Sequence, residues 1–439
     1  MVLTEGSAKN GPVSPRTFLI DTRPLRHAAF RRTWIGNGVS GVGFQLTAVA
    51  VPVEMYEITK SSVWVGLIGI AGLVPLLVFA LLGGAIADAV DRRKLLLASS
   101  AVTWVVTLAL LVQAVAGWNS PVLLLCLVAV QAVGFALTNP VRQAIIPRLV
   151  PAEDVPAAQT ISFTTSNAAM VLGPLIAGVV IQLAGFAAAY AIDAALFAVS
   201  VWASLRLPPL PPERASAGPA SMGVRAVADG LRYLATTPII ALSFAVDLIA
   251  MIFAMPRALF PEMADERFGG PGAVGWLYSA IALGAVAGGL VSGWIGRVRR
   301  QGVALVGAVV VWGLAVAAAG VAHQLWLAVA LLAVAGAGDL VSGVYRQTIM
   351  SLYAPDEMRG RLQGVFTAVV AGGPRLGDLR AGITASLVGP TLAWAGGGVA
   401  AAVLVIVLAV AFPVLRRYDG RPPAAARDET AQPSTTAVV

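Results

Sequence analysis

The sequence predicts an all-α polytopic membrane protein with twelve transmembrane helices in two similar six-helix halves. Three observations lead to this fold class. Hydrophobic residues make up 58% of the chain and charged residues only 12%, whereas soluble domains carry roughly 25% charged residues. The apolar residues form runs long enough to cross a bilayer, which takes about 20 residues per helix. A polar motif of the first half recurs in the second half.

The apolar runs are joined mostly by connections of a few residues, so neighbouring helices are expected to be antiparallel. The predicted spans lie near 33–55, 62–86, 95–116, 120–141, 158–183, 186–206, 237–256, 272–295, 303–321, 324–345, 363–388 and 391–414. They divide the chain into an N-terminal half at 33–206 and a C-terminal half at 237–415, with a Pro-rich linker at 207–236. A polar tail precedes them at 1–32, and a tail that is predicted to be disordered follows at 416–439.

Basic residues cluster in alternate connections, and this asymmetry predicts the orientation. The linker and both chain ends fall on the basic side, so the positive-inside rule places them in the cytoplasm of a bacterium, with the helices in its inner membrane. The net charge of +8 is therefore interpreted as membrane topology and not as nucleic-acid binding. One cysteine, Cys126, and two distant histidines form no disulfide or metal pattern, so neither a metal nor another cofactor is expected. We expect a monomer.

A polar repeat relates the two halves. Residues 142–159, RQAIIPRLVPAEDVPAAQ, match residues 346–363, RQTIMSLYAPDEMRGRLQ, without a gap. A second similarity relates Val65-Gly66 to Val274-Gly275. Both copies of the first motif are expected in cytoplasmic loops, so the repeat is parallel, as in transporters whose halves are related by an axis along the membrane normal. The arginines that begin the copies, Arg142 and Arg346, are candidate gate residues.

The connection between the second and third spans reads GAIADAVDRRK at 84–94. It resembles the signature loop of the major facilitator superfamily, G-x-L-A-D-R-x-G-R-R/K. The resemblance implies that Gly84 permits close helix packing and that Asp88 accepts hydrogen bonds at a helix N-terminus. It also implies that Arg92 and Arg93 help to hold a cytoplasmic gate shut.

Two positions of this loop depart from the superfamily pattern. Ala89 replaces the usual Arg, and Asp91 replaces the usual Gly. We therefore expect an altered gate network that includes Asp91. A plain basic flank of the membrane is the alternative interpretation of residues 92–94.

The fifth span contains GPLIAG at 173–178. It resembles the G-P-x-x-G-G motif of proton-coupled exporters in the superfamily, although Ala177 stands in place of one Gly. Pro174 removes a backbone hydrogen bond, and Gly173 and Gly178 allow close packing and bending. An ordinary packing motif is the alternative.

Further segments resemble one branch of the superfamily, the siderophore (enterobactin) exporter-like and macrolide or multidrug efflux-like transporters. They read FRRTWIGN at 30–37, RQAIIPRLVPAED at 142–154, DAALF at 193–197 and MPRALFP at 255–261. The resemblance covers essentially the whole ordered chain. It implies a secondary active transporter that exports a siderophore or a small amphipathic drug by alternating access in exchange for protons, and it leaves the substrate open.

Other functions remain as alternatives. One is an uptake symporter on the same fold, and another is a membrane sensor or scaffold that transports nothing. No ATP-binding G-x-x-x-x-G-K-[ST] loop occurs, and two histidines supply no Ser/His/Asp arrangement, so an enzyme is not expected. Intramembrane catalysis by a pair of aspartates, Asp247 and Asp339, is the one enzymatic alternative that their spacing leaves open, but neither residue lies in a protease-like motif.

Ionisable residues inside apolar spans are costly and are functional candidates by default. Asp247, in the middle of the seventh span, is the first candidate for the coupling proton, with a structural carboxylate as the alternative. Arg257 lies ten residues further on a similar helix face, too far to pair with it directly. Asp193 and Asp339 are further candidates for a proton or substrate site.

The eleventh span carries three charged residues in GGPRLGDLRAG. The spacing predicts an ion pair between Asp378 and Arg375, which leaves Arg380 to attract an anionic substrate. Glu54 is a candidate for the outer vestibule. Asn37 and Gln45 are neutral groups of the first span that either line a cavity or form hydrogen bonds between helices.

Overall fold

The computed structural model describes residues 21–208 and 224–421 and leaves out the side chains of residues 80–89, 139–140, 224–227 and 356–357. Over the described ranges the chain is helical and contains no β-strand. The helices are α1 (Ala28–Thr59), α2 (Ser62–Ala89), α3 (Arg92–Ala116), α4 (Pro121–Leu149), α5 (Val155–Leu205), α6 (Val224–Thr236), α7 (Pro238–Ala254), α8 (Phe260–Glu266), α9 (Pro271–Leu290), α10 (Gln301–Val321), α11 (Leu325–Tyr353), α12 (Asp356–Val388), α13 (Pro390–Ala411) and α14 (Pro413–Arg417).

The helices account for the twelve predicted spans. In the described part of the chain, ten stretches are long and apolar enough to cross a membrane. One of them, α5, contains Gly185 at φ 77° and ψ −177°, which breaks the helix into two spans. α12 is long enough at 33 residues but is less apolar, because Arg375, Asp378 and Arg380 lie within it. The predicted fold class, an all-α polytopic protein, is confirmed.

The repeated motif lies mainly on helices and not in loops, so that part of the prediction was wrong. Arg142 lies within α4, and Arg346 lies within α11. Each helix continues until the residue before a proline, where an α conformation is disfavoured. Val150, which precedes Pro151, is extended, with φ −136° and ψ 156°, and Ala354 before Pro355 is extended as well.

Because successive spans are antiparallel, the two described chain ends lie at one face of the helix bundle, which we call the terminal face. The linker helix α6 also lies there and packs against α12 and α7. Asp229 of α6 pairs with Arg361 at 3.1 Å, and the Tyr233 hydroxyl donates to the carbonyl of Tyr353 at 2.9 Å. The linker helix is therefore attached to the C-terminal half, while residues 209–223 lie outside the described part. The division into halves, linker and tails stays a prediction.

The two halves contact each other most extensively where α2 crosses α12 and α5 crosses α9. A Cβ atom at Gly66 would lie 2.6 Å from the carbonyl oxygen of Asp378. A Cβ atom at Gly275 would likewise run into the backbone of Pro174 and Gly178. The sequence similarity between Val65-Gly66 and Val274-Gly275 thus marks two equivalent crossings, at which only glycine permits this approach.

Both crossings lie toward the face opposite the terminal face. Two further contacts join the halves at that opposite face, and both involve α8. Lys60 pairs with Asp265 at 3.3 Å, and the Ser62 hydroxyl donates to the Glu262 carboxylate. The bundle is therefore closed at the opposite face.

Candidate transport cavity and buried charges

A cavity of about 430 Å³ lies between the two halves. Its walls come from α1, α2, α4 and α5 of the N-terminal half and from α9, α12 and the turn after α7 of the C-terminal half. The polar groups of the lining are Gln45, Thr47, Gln131, Arg257, Tyr278, Arg375 and Asp378. Volumes of about 300–1,000 Å³ are typical of small-molecule sites. The size and position suit a site for a small molecule that both halves contact.

The cavity opens toward the terminal face. On α5, Phe163 and Asn167 share a helix face with Met170 and Pro174, which line the cavity, because the spacing follows the helical repeat. Phe163 is 73% exposed, and Asn167 is half-buried. Exposure thus continues along this face from the cavity to the terminal face, whereas the crossings block the opposite direction.

Two arginines flank the cavity carboxylate Asp378. Arg257 lies in the short 3-10 turn that follows α7, and the carboxylate accepts a hydrogen bond from the backbone N–H of Ala258 at 3.2 Å. Arg375 donates to the carbonyl of Ala371 at 2.7 Å. Both guanidinium groups act electrostatically on Asp378, but among the described residues none forms an ion pair with it within 4.0 Å. The expected Arg375–Asp378 ion pair does not form, because the carboxylate is held by the amide beyond α7.

Arg380 has a different position from the other two arginines. It donates to the carbonyls of Ile252 at 3.1 Å and of Phe253 at 2.5 Å. These carbonyls belong to the last turn of α7, where helices leave backbone acceptors without intrahelical donors. Arg380 therefore caps α7 and is not part of the cavity lining.

Asp247 pairs with Arg346, and the other guanidinium nitrogen of Arg346 lies 3.5 Å from Asp339. Arg346 is only 5% exposed, whereas the Asp339 side chain is 37% exposed. Sequence reasoning selected all three residues but not their association. Asp339 and Arg346 lie seven residues apart on one face of α11, which was a usable signal, whereas Asp247 comes from α7 and nothing in the sequence connects it to them.

Asp193 is a buried carboxylate of the N-terminal half and has neutral partners. Asp193 accepts hydrogen bonds from the hydroxyls of Thr47 at 2.5 Å and Thr107 at 3.3 Å. Sequence reasoning missed both threonines, because a hydroxyl in an apolar span carries no pattern.

Glu54 is buried in the same half and does not line the cavity. It accepts from the Tyr190 hydroxyl at 2.5 Å and from the Gln113 amide at 2.7 Å. Both partners were missed by sequence reasoning. This position between helices differs from the outer vestibule expected for Glu54.

The candidate gate residues at the terminal face are only partly described. Asp91 caps α3, because its carboxylate accepts from the backbone N–H groups of Arg93 at 2.8 Å and Lys94 at 3.4 Å. The Arg93 guanidinium donates to the carbonyl of Leu205 at 2.8 Å, and Arg92 is partly exposed. The predicted features of Gly84 and Asp88 lie outside the described side chains.

Arg142 lies deeper, where it donates to the Ser200 hydroxyl at 3.3 Å. Its Nε is buried and has no hydrogen-bond partner among the described groups.

The remaining candidates lie on α1 and α5. Gly173 packs against Gln45 of the cavity lining, while Pro174 and Gly178 form the α5 side of the crossing with α9. Asn37 is half-buried on α1, between the cavity and the terminal face. The Gly-Pro motif therefore lies at the contact between the halves.

Two six-helix halves around a central cavity, closed at one face and open at the other, define a secondary transporter of the major facilitator class. The chain belongs to the transmembrane secretion effector family of that superfamily, whose model matches residues 21–435.

Curated relatives agree with this assignment, and solved structures agree with the fold. The enterobactin exporter EntS of Escherichia coli O139:H28 is 27% identical over 413 residues, which cover 94% of this chain and 98% of the exporter. A peptide transporter POT superimposes with a TM-score of 0.71 at 13% identity, over 89% of this chain and 95% of its own. A bacterial homologue of the human lysosomal transporter Spinster, in an inward-facing and unoccupied conformation, superimposes with a TM-score of 0.70 at 15% identity. The superposition covers 92% of this chain and 100% of the homologue.

The protein is thus a multi-pass inner-membrane transporter of a small molecule and not an enzyme. The comparisons do not favour a sensor or scaffold.

Proposed function

We propose that this transporter exports a siderophore or a small amphipathic drug from the cytoplasm in exchange for protons. The observation that carries the proposal is the match to an enterobactin exporter over 94% of the chain. With both termini in the cytoplasm, as the distribution of basic residues predicts, the cavity opens to the compartment from which an exporter takes its substrate. The described residues of one chain line this cavity, and we propose that the transporter acts as a monomer and without nucleic acid.

Transport then requires the halves to rock about the cavity. The glycine crossings and the Lys60–Asp265 contact open at the outer face. The segment at 84–94, with Arg92 and Arg93, closes the cytoplasmic face as in the superfamily motif. Gly173 to Gly178 take part because they form one of the crossings.

The cluster of Asp247, Asp339 and Arg346 is the proposed proton site. Two carboxylates share one guanidinium, so one negative charge remains without compensation, and one proton neutralises it. Asp339 is partly exposed and gives water a route to the cluster. Asp193 is the second candidate, since it is fully buried and no cation among the described residues pairs with it.

The test is substrate uptake into inverted membrane vesicles with an imposed proton gradient. The native chain, Asp247→Asn and Asp339→Asn are compared with Asp419→Asn, which changes an exposed carboxylate near the C-terminal end of the described residues. A panel of iron-free siderophores and lipophilic drugs is screened. We expect gradient-dependent uptake by the native chain and the control, and loss of the gradient dependence in the two cluster variants.

Three results discriminate between the parts of the proposal. If both cluster variants retained gradient-dependent uptake, the proton site could not be the cluster of Asp247, Asp339 and Arg346. Uptake that ignores the gradient in the native chain would contradict antiport. Absence of uptake for every compound in the panel would count against export of these substrate classes.

A further inference from the structure

The polar lining of the cavity contains more cationic than anionic side chains. Arg257 and Arg375 bring two guanidinium groups, whereas Asp378 brings one carboxylate. That carboxylate already accepts the backbone N–H of Ala258. The side chains of the lining therefore carry an excess of one positive charge.

Two donors in the lining are buried without an acceptor among the described residues. They are the Nε of Arg257 and the amide nitrogen of Gln131. Gln131 is only 8% exposed. A buried donor that lacks an acceptor costs about 1–3 kcal/mol, so a ligand that supplies oxygen atoms at these positions binds favourably.

The same lining contains a stacked aromatic pair. The rings of Phe44 and Phe135 lie 5.4 Å apart at an interplanar angle of 18°, and both residues face the cavity. Aromatic rings favour offset stacking with further aromatic rings. An apolar, flat surface thus lies in the same cavity as the excess of positive charge.

We propose that the cavity selects acidic molecules that carry an aromatic ring. Arg257, Arg375 and Gln131 bind the carboxylate or other oxyanion through charge-assisted hydrogen bonds, and Phe44 and Phe135 contact the ring. Arg380, which the sequence indicated for an anion, is occupied by the carbonyls at the end of α7. This inference rests on the proposed function in one respect, namely that the cavity is the substrate site.

The experiment measures binding of three ring-matched probes to the purified full-length protein in detergent by equilibrium dialysis. The probes are 1-naphthoate, 1-naphthylmethanol and 1-naphthylmethylammonium, which differ in charge. We expect the anion to bind about tenfold more tightly than the neutral probe, with the cation weakest. Arg257→Gln and Arg375→Gln are each expected to weaken 1-naphthoate binding about tenfold, and Asp378→Asn is expected to strengthen it.

Arg206→Gln is the matched control, because it removes an exposed arginine that is not part of the cavity lining, and its binding should equal that of the native chain. Gel filtration checks that each variant is folded. If an arginine variant fails this check, Gln131→Leu replaces it, with weaker anion binding as the expected result. Equal affinities for the three probes, or cavity variants that bind 1-naphthoate like the native chain, would overturn the inference.

Transport in inverted vesicles separates this inference from the proposed function. Anion-selective binding that depends on the two arginines, without gradient-driven transport, would refute the exporter and leave the site assignment in place. Gradient-driven export of cationic or neutral compounds in preference to anions would refute the site assignment and leave the exporter in place.

Discussion

The two halves share one fold but stabilise their buried charges in different ways. Arg346 of the C-terminal half contacts two carboxylates, whereas Arg142, at the equivalent position of the repeat, donates to a single hydroxyl. The buried carboxylates Asp193 and Glu54 of the N-terminal half are held by neutral donors.

The difference shows which features the repeat preserves. The backbone crossings at Gly66 and Gly275 are equivalent in the two halves, because close approach of helices depends on the absence of a side chain. The buried charges are not equivalent. The position seven residues before the repeated arginine is occupied by Phe135 in the N-terminal half and by Asp339 in the C-terminal half. Phe135 lines the cavity, and Asp339 joins an ion-pair cluster. The two halves therefore share their backbone packing and differ in individual side chains.

The largest expected effect is that of Arg346→Gln. It leaves Asp247 buried without its cation, and breaking one partner of a buried pair costs about 3–5 kcal/mol. Thermal unfolding of the purified protein should show a clear loss of stability. The double variant with Asp247→Asn should recover much of that loss, because the isolated charge is gone. Equal stability of the single and double variants would contradict an ion pair with this energetic role.

The corresponding change in the other half, Arg142→Gln, should cost only about 1 kcal/mol, because it removes a hydrogen bond to a neutral hydroxyl. The same unfolding measurement compares the two variants directly. A loss as large as that of Arg346→Gln would remove the proposed difference between the halves.

Gly66→Val and Gly275→Val test where the halves are alike. Each valine side chain would enter a helix crossing, and overpacking costs about 1–3 kcal/mol. Because the crossings exist only while the opposite face is closed, this cost destabilises the closed state alone. Cysteines at Lys60 and Asp265 in a Cys126→Ser background report that closure by cross-linking with a short bifunctional thiol reagent. Cross-linking should fall similarly in both glycine variants, and Gly293→Val, where a Cβ atom would meet no neighbour within 4 Å, is the control.

Thr47→Val tests the neutral partners of the N-terminal half. It removes the shorter of the two hydrogen bonds to Asp193, with an expected cost of about 1–2 kcal/mol. Thr107→Val removes the longer bond and should cost less. The urea concentration at the unfolding midpoint is measured for both variants. A larger loss for Thr107→Val than for Thr47→Val would show that the hydrogen-bond lengths to Asp193 do not reflect the strengths of the two bonds.

The smallest expected effect is that of Lys60→Gln at the opposite face. Both partners of the Lys60–Asp265 pair are more than half exposed, so the pair contributes about 0–1 kcal/mol and weakens with salt. Stability in low and high salt should differ slightly for the native chain and not for the variant. A cost above about 2 kcal/mol would indicate that the contact is not an ordinary surface ion pair.

Much of the fold could be predicted from the sequence because bilayer helices are determined by local properties. Length and apolarity identified the spans, and the sequence similarity around Gly66 and Gly275 identified equivalent positions in the two halves. The site was less predictable. Asp247, Asp339 and Arg346 were each selected for their charge, but their association depends on how α7 packs against α11, which no local pattern encodes. The hydroxyl partners of Asp193 had no signal, since threonine is common in apolar helices.

The bend at Gly185 has a mechanical consequence. A single residue connects the span that crosses α9 to the span that carries Tyr190 and Asp193. Because one residue joins them, the two helix ends that meet at Gly185 must move together. We therefore expect that a movement of the outer face also shifts the start of the span that carries Tyr190 and Asp193.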